Sequence, residues 1–255
     1  MRKRLIIIFF ALAVFAVIWL KPFYVAPILM YHSINPEVQS DTPTVSPKAF
    51  ERQMEYIHRK GYRVITLSEY VKARLKGRPL KNVVILTLDD GYKDNYTYAF
   101  PVLKKYGLPA TIFIIVKHFE DNPRFLKIPQ IEEMAKGGIE FGSHTVSHER
   151  LTDIKEAGEL SKQVLGSKQI LEQKLGMRMD ILCYPFGYYD DNVKELTKEA
   201  GYLAAVTTTK GPGKLNKDLY AIKRIKISEK DVPSFVLWLK LSGYYWIFQK
   251  NRNSY

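Results

Sequence analysis

The feature that most limits what this 255-residue chain can fold into is its alternation of short apolar, β-branched runs with stretches of helical length. Residues 83–86 read Val-Val-Ile-Leu, and 110–116 read Ala-Thr-Ile-Phe-Ile-Ile-Val; such contiguous apolar runs predict strands buried on both faces. Further strands are predicted over 25–34, 62–66, 139–142, 180–184, 203–208 and 221–227. Helices are predicted over 47–61, 68–77, 95–106, 129–136, 154–175, 191–200 and 232–241. Ser46-Pro47 supplies a favoured N-cap and first-turn pair, and Pro101 falls where it caps or kinks its helix. Strands that alternate with helices predict an α/β fold with a parallel sheet, either open or closed as a barrel.

At the end of the 83–86 run come Asp89 and Asp90, followed by Gly91, which lets the chain turn sharply. Two acids at the end of a buried strand need partners. One solution is a cation held by one carboxylate while the other stays free as a base; the alternative is a simple helix or turn cap. His32, His144, His148 and Pro185-Phe186-Gly187 also fall where predicted strands end, which is where parallel α/β folds build their sites. His144 and His148, four residues apart in a loop or first helical turn, can face one ion; otherwise they are two surface histidines. Two histidines, one aspartate and an open fourth position make a hydrolytic Zn²⁺ site, although the same donors hold other divalent ions. His118 also follows a strand but has no suggestive sequence neighbours.

Composition narrows the partners. The formal net charge is +13. Arg2, Lys3, Arg4 and Lys21 flank an uncharged run over 5–20, and the remainder, about +9, is spread as Lys among Glu along the predicted helices. No nucleic-acid motif or basic block appears, so nucleic acid is excluded as a partner. The diffuse charge suits an anionic surface or a simple soluble basic face. The basic, then apolar, N-terminus predicts export or anchoring. Without an A-x-A site at the end of the run, residues 1–24 are expected to be an uncleaved transmembrane anchor rather than a cleaved signal. Residues 25–255 would then be a catalytic domain outside a single-pass cell-membrane segment, working as a monomer. The aromatic tail over 235–248 packs against the fold or lies at a membrane surface. Cys183 is the only cysteine, which rules out an intramolecular disulfide.

Thr87-Leu88-Asp89-Asp90-Gly91, Ser143-His144-Thr145-Val146-Ser147-His148 and Tyr184-Pro185-Phe186-Gly187, in this order, resemble the first three motifs of the NodB-type polysaccharide deacetylases, carbohydrate esterase family four. The resemblance covers about residues 25–230. It implies a distorted (β/α)7-type barrel, with fewer than eight repeats, and metal-dependent hydrolytic N-deacetylation of a polysaccharide that contains N-acetylglucosamine. By resemblance, Asp89 is the general base, Asp90, His144 and His148 hold the metal, most simply Zn²⁺, and the Phe186 N–H helps to hold the oxyanion.

Two departures stand out. The third motif normally begins with an arginine that supports the base; here that position is Cys183, and Arg224 is a candidate replacement. The late histidine that supplies the general acid is missing, since no histidine follows His148. The opening Pro27-Ile28-Leu29-Met30-Tyr31-His32 instead resembles the circularly permuted members that act on poly-N-acetylglucosamine, which makes His32 the expected acid. Tyr92, Tyr96, Tyr188 and Tyr189 are candidate glycan contacts or core residues. Poly-N-acetylglucosamine, peptidoglycan and chitin-like chains all fit as substrates. A catalytically impaired glycan-binding protein of the same fold, or an amidohydrolase of a small non-sugar amide, are the alternatives.

Overall fold

A computed structural model describes residues 24–37, 43–119, 121–208, 216–232 and 234–248. Strand β5 (Val83–Leu88) belongs to a parallel sheet in which it pairs with three other strands. One edge pairs with β1 (Ile28–Tyr31). The first half of the other edge carries β4 (Arg63–Ile65), and the second half carries β6 (Ala110–Ile114). From β6 the order continues through β7 (Ile139–Ser143), β8 (Ile181–Cys183) and β9 (Ala204–Thr207) to β10 (Ile222–Lys223). The far edge of β1 pairs with β11 (Ile225–Lys226). Only Arg224 separates β10 from β11, so the two edges of the sheet meet there and the sheet curls into a nearly closed barrel. A small parallel pair, β2 (Ser33–Ile34) and β3 (Thr44–Val45), lies outside it.

The two-residue period of the strands divides the core. Leu29, Tyr31, Val84, Leu86, Leu88, Ile112, Leu182 and Ala205 belong to the large cluster shared with the helices. Ile28, Val83, Ile85, Phe113, Ile181, Cys183, Val206 and Ile222 form the smaller inner cluster, joined by Tyr70 and Val71 of the helix Leu67–Leu75. The same period carries Thr87 and Asp89 inward after Ile85, and Arg224 inward after Ile222. The barrel lining therefore changes from apolar to polar toward the C-terminal ends of the strands. Gly142 belongs to this inner face, and a Cβ there would stand 2.7 Å from the Phe113 ring.

Several elements differ from expectation. The first strand breaks at His32 and the last at Arg224, the two places where a side chain is turned to the site. The predicted 154–175 helix begins at Ala157 and contains a widened π turn, Lys162–Gly166, before it ends as Ser167–Leu175. Another π turn, Asn95–Ala99, precedes the helix Phe100–Tyr106, so Pro101 falls in a first α-turn, where its missing N–H is tolerated. In the tail, Leu237 and Leu241 are buried while Phe235, Val236 and Trp238 stay exposed, so helix Phe235–Leu241 packs one face on the fold.

The expected single-pass membrane placement is corrected. No helix among the described residues is long and apolar enough to cross a membrane. A span needs about 20 apolar residues, whereas the apolar runs described here are short strands. The expected anchor itself falls on residues 1–23, which lie outside the described residues.

Candidate active site

Asp89 and Asp90 are neighbours in sequence but have different surroundings. The Asp89 N–H donates to the Tyr31 carbonyl (3.0 Å), which keeps Asp89 in register with the end of β1 and its side chain inside the barrel. There it is 1 % exposed. Arg224 grips it with two bonds, Nη1 to Oδ1 at 2.6 Å and Nη2 to Oδ2 at 2.7 Å. The same guanidinium donates to Thr87 Oγ1 (3.0 Å), to the Thr207 carbonyl (3.4 Å) and to Cys183 Sγ (3.2 Å). Burial pushes the Asp89 carboxyl up, but Arg224, with His32, outweighs it and leaves the pKa below the ordinary carboxylate value. Asp89 is thus kept ionised in a buried place.

Asp90 turns the other way because its backbone is left-handed, with φ of 72°, and Gly91 continues the turn at 71°. Its Oδ1 lies 3.4 Å from His144 Nε2 and 3.6 Å from His148 Nε2. His144 Nδ1 is 2.8 Å from the Cys183 carbonyl. A carbonyl only accepts, so Nδ1 carries the proton and Nε2 is left to act as a ligand. Burial drives His144 down, but Cys183 and Asp90 opposite it hold its pKa well above the ordinary value. Burial and the His144 charge lower His148 to about 4.

The loop that carries the two histidines is not helical. Thr145 and His148 both have positive φ, 66° and 61°. The His144 N–H donates to Ile114 O at the end of β6 (2.8 Å). Further along, Gln163 Oε1 accepts from the N–H groups of Val146 (3.1 Å) and Ser147 (3.0 Å). Gln163 sits in the π turn, 1 % exposed.

Two overlapping groups have metal-ligand spacing: Asp90, His144 and His148, or Asp89, His144 and Cys183. The first fits a cation better. Both oxygens of Asp89 are engaged by Arg224, and Cys183 Sγ stands 3.9 Å from His144 Nε2, farther than Asp90. Two imidazoles and a carboxylate that leave further positions open suit a catalytic ion. His32, at the break after β1, has its Nε2 3.8 Å from Asp89 Oδ2. Burial lowers its pKa against the pull of Asp89 and Asp90. The five sequence-predicted side chains thus meet at one mouth.

Comparison with known proteins settles the family. The polysaccharide deacetylase family model matches residues 76–205. The chain belongs to the polysaccharide deacetylase family. YxkH of Bacillus subtilis strain 168, named as a polysaccharide deacetylase, is 36% identical over 203 residues, covering 79% of this chain and 71% of that protein. A poly-β-1,6-N-acetyl-D-glucosamine N-deacetylase of Staphylococcus epidermidis is 29% identical over 197 residues, 72% of this chain and 68% of its own. Among solved structures, Streptococcus pyogenes deacetylase PplD in complex with acetate superposes with a TM-score of 0.77 at 30% identity, covering 84% of this chain and 96% of that one. The NodB-like deacetylase barrel expected from the motifs is therefore the fold, and the protein is an enzyme of this family.

Within the deacetylase barrel, Phe186 is held in a left-handed conformation, φ 57°. Thr208 Oγ1 donates to its carbonyl (2.9 Å), and Thr207 Oγ1 donates to Gly187 O (2.7 Å). Gly187 must be glycine, because a Cβ would fall 2.6 Å from the Thr208 nitrogen. The Phe186 ring is exposed and lies 4.7 Å from the His148 ring.

The tyrosine candidates divide. Tyr96 bonds Glu133 (2.6 Å) and packs with Tyr189 against the outer core, away from the inner face. Tyr188 lies under the Arg150 guanidinium at 4.1 Å, just past the histidine loop. Tyr92 stacks on Phe125 (5.0 Å), which stacks on His118 (4.6 Å). His118 is therefore part of an aromatic group next to Asp90-Gly91, a grouping that sequence neighbours do not reveal because its members lie far apart in the chain.

Proposed function

We propose that this protein hydrolyses the acetamide of N-acetylglucosamine units in a surface or cell-envelope polysaccharide, releasing acetate. The observation that carries the reading is the division of the paired carboxylates. Asp89 is ionised, buried and clamped by Arg224, whereas Asp90 faces two imidazoles. A caps-only explanation would leave the pair without Arg224 on one side and the histidines on the other. The poly-β-1,6-N-acetylglucosamine activity in the name of the staphylococcal relative supports the same polymer here, and the acetate in PplD suits the product.

In this reading Asp90, His144 and His148 would hold a divalent cation, and their donor set favours Zn²⁺. When bound, such an ion polarises a carbonyl and lowers the pKa of water to about 7. Asp89 takes a proton from the attacking water as the new C–O bond forms at the amide carbon. The Phe186 N–H donates to the oxygen that gains negative charge. His32, whose Nε2 stands 3.8 Å from Asp89, protonates the sugar nitrogen as the C–N bond breaks. Acetate and a free amine result. Arg224 keeps Asp89 ionised and aimed throughout.

The test is acetate release by the purified, Zn²⁺-loaded chain from β-1,6 and β-1,4 N-acetylglucosamine oligomers and from peptidoglycan. Asp89→Asn is expected to reduce release to background while bound metal, measured by mass spectrometry, is retained. Full activity in that variant, or no release from any acetylated glycan, would sink the reading.

A further inference from the structure

Beside Asp89 the mouth widens into a cavity of about 500 Å³ lined by residues that include His32, Thr208, Arg224, Lys226, Ser228 and Tyr245. Its size lies within the range of small-ligand pockets, about 300–1,000 Å³. His32 and Arg224, which both approach Asp89, tie the cavity to the reaction. His144 and His148 do not line it. It therefore lies on the His32 side of the base, where the sugar that keeps the nitrogen would sit, and away from the metal ligands.

Its charge balance is one-sided. Among the described residues no carboxylate lines it. Arg224 is neutralised by Asp89, and Lys240 by Asp231 at 2.8 Å. Thr208 donates its hydroxyl proton to Phe186 O, and Ser228 donates to Asp231 Oδ2. Lys226 differs: it is exposed, and its ammonium carries no ion pair among the described residues. Inward alternation from Arg224 on the closing strand brings it to the cavity. A neutral glycan needs no such uncommitted cation, whereas an anionic one does.

We propose that this cavity is a subsite for an anionic substituent, a phosphate or a carboxylate, carried by the glycan at or beside the sugar that loses its acetyl group, with Lys226 as its counter-charge. The inference rests on the deacetylase reading and names the substrate class within it. Lys226 is then a specificity residue and plays no part in the chemical steps.

The experiment compares neutral N-acetylglucosamine oligomers with the same oligomers bearing phosphate or lactyl carboxylate groups, using the full, Zn²⁺-loaded chain. The wild type is expected to favour one anionic series about 10-fold in kcat/KM, a typical size for one charge-assisted contact. Lys226→Gln should bring that ratio near one, and Lys226→Glu should reverse it. Lys76→Gln, at the end of helix Leu67–Leu75, should keep it. The series that shows the preference identifies the anion. No preference in the wild type, or a preference that survives Lys226→Gln, overturns the subsite. Calorimetric binding of deacetylated oligomers, with and without phosphate or carboxylate, reads the cavity without turnover. An anionic preference there without acetate release would leave the subsite standing and remove only the deacetylase reading; no preference there removes the subsite.

Discussion

At the scale of single residues, the site turns on Arg224. The position where the family's third motif carries arginine is Cys183, and its sulfur lies 3.2 Å from Arg224 Nη2. A small side chain at 183 thus leaves room for a guanidinium that arrives from another strand. Arg224→Met would strand a buried carboxylate, and a loss of about 3–5 kcal/mol is expected in urea unfolding at neutral pH. The sign of its pH dependence should also invert. With Arg224 present, the Asp89 pKa is depressed, so the pair's contribution is full above the unfolded carboxylate pKa of about 3.9 and is lost as pH falls through the lower folded value. Without Arg224, burial, the largest influence, is opposed only by the weaker pull of His32 and His144 and raises the folded pKa, so the variant should lose stability as pH rises from the unfolded value through the folded one. His32→Gln should lower kcat by about 10²–10⁴-fold with bound metal unchanged, as measured by steady-state kinetics and metal analysis. Metal affinity is expected to increase with pH, because the raised His144 pKa makes protons compete for Nε2. Calorimetric titration at several pH values checks this.

At the scale of elements, the loop from His144 to His148 depends on a helix that follows it. The π turn Lys162–Gly166 puts Gln163 under the loop, where its oxygen satisfies two backbone N–H groups and its nitrogen donates to Ser147 Oγ (2.8 Å). Such turns recur at functional sites because the extra residue re-aims a side chain. Gln163→Leu removes those partners while filling similar space. Metal affinity is expected to fall about 10–100-fold, as for loss of other supports behind a ligand, and calorimetry would show it. Little of this was legible in advance. The apolar runs identified most strands, since burial on both faces leaves a contiguous pattern, and the histidine spacing marked two side chains that the fold brings to Asp90. The loop's left-handed residues, Thr145 and His148, carry no glycine to announce them, and a π turn has no periodic signature within a helix. Arg224, set between Lys223 and Ile225, was legible only as a candidate for the missing motif-three arginine, with nothing in its neighbours to place it beside Asp89. Its partner lies 135 positions away, and only the barrel's closure brings them together.

At the scale of the whole molecule, a narrow barrel has little tolerance inside. Gly142 faces the Phe113 ring, so Gly142→Ala should destabilise by about 1–3 kcal/mol through overpacking, and Phe113→Leu in the same chain should recover part of the loss in thermal unfolding. The alternation of strands and helices was enough to read a parallel α/β sheet from the chain. That alternation alone left the sheet open or closed, because the strand that joins the two edges is split at a charged residue; the expectation of a barrel came from the motifs. That split has a further bearing on how the enzyme comes into being. The family model spans residues 76–205, yet His32 precedes that span and Arg224 follows it. During synthesis Asp89 and the three metal-ligand candidates all emerge before Arg224, which neutralises Asp89. Closing so long a loop is slow relative to local structure. A nascent chain halted before β10 would hold the histidine loop but carry Asp89 without its cation. Competence for hydrolysis is therefore a late event, set by arrival of the final strand, and partly made chains are silent by construction.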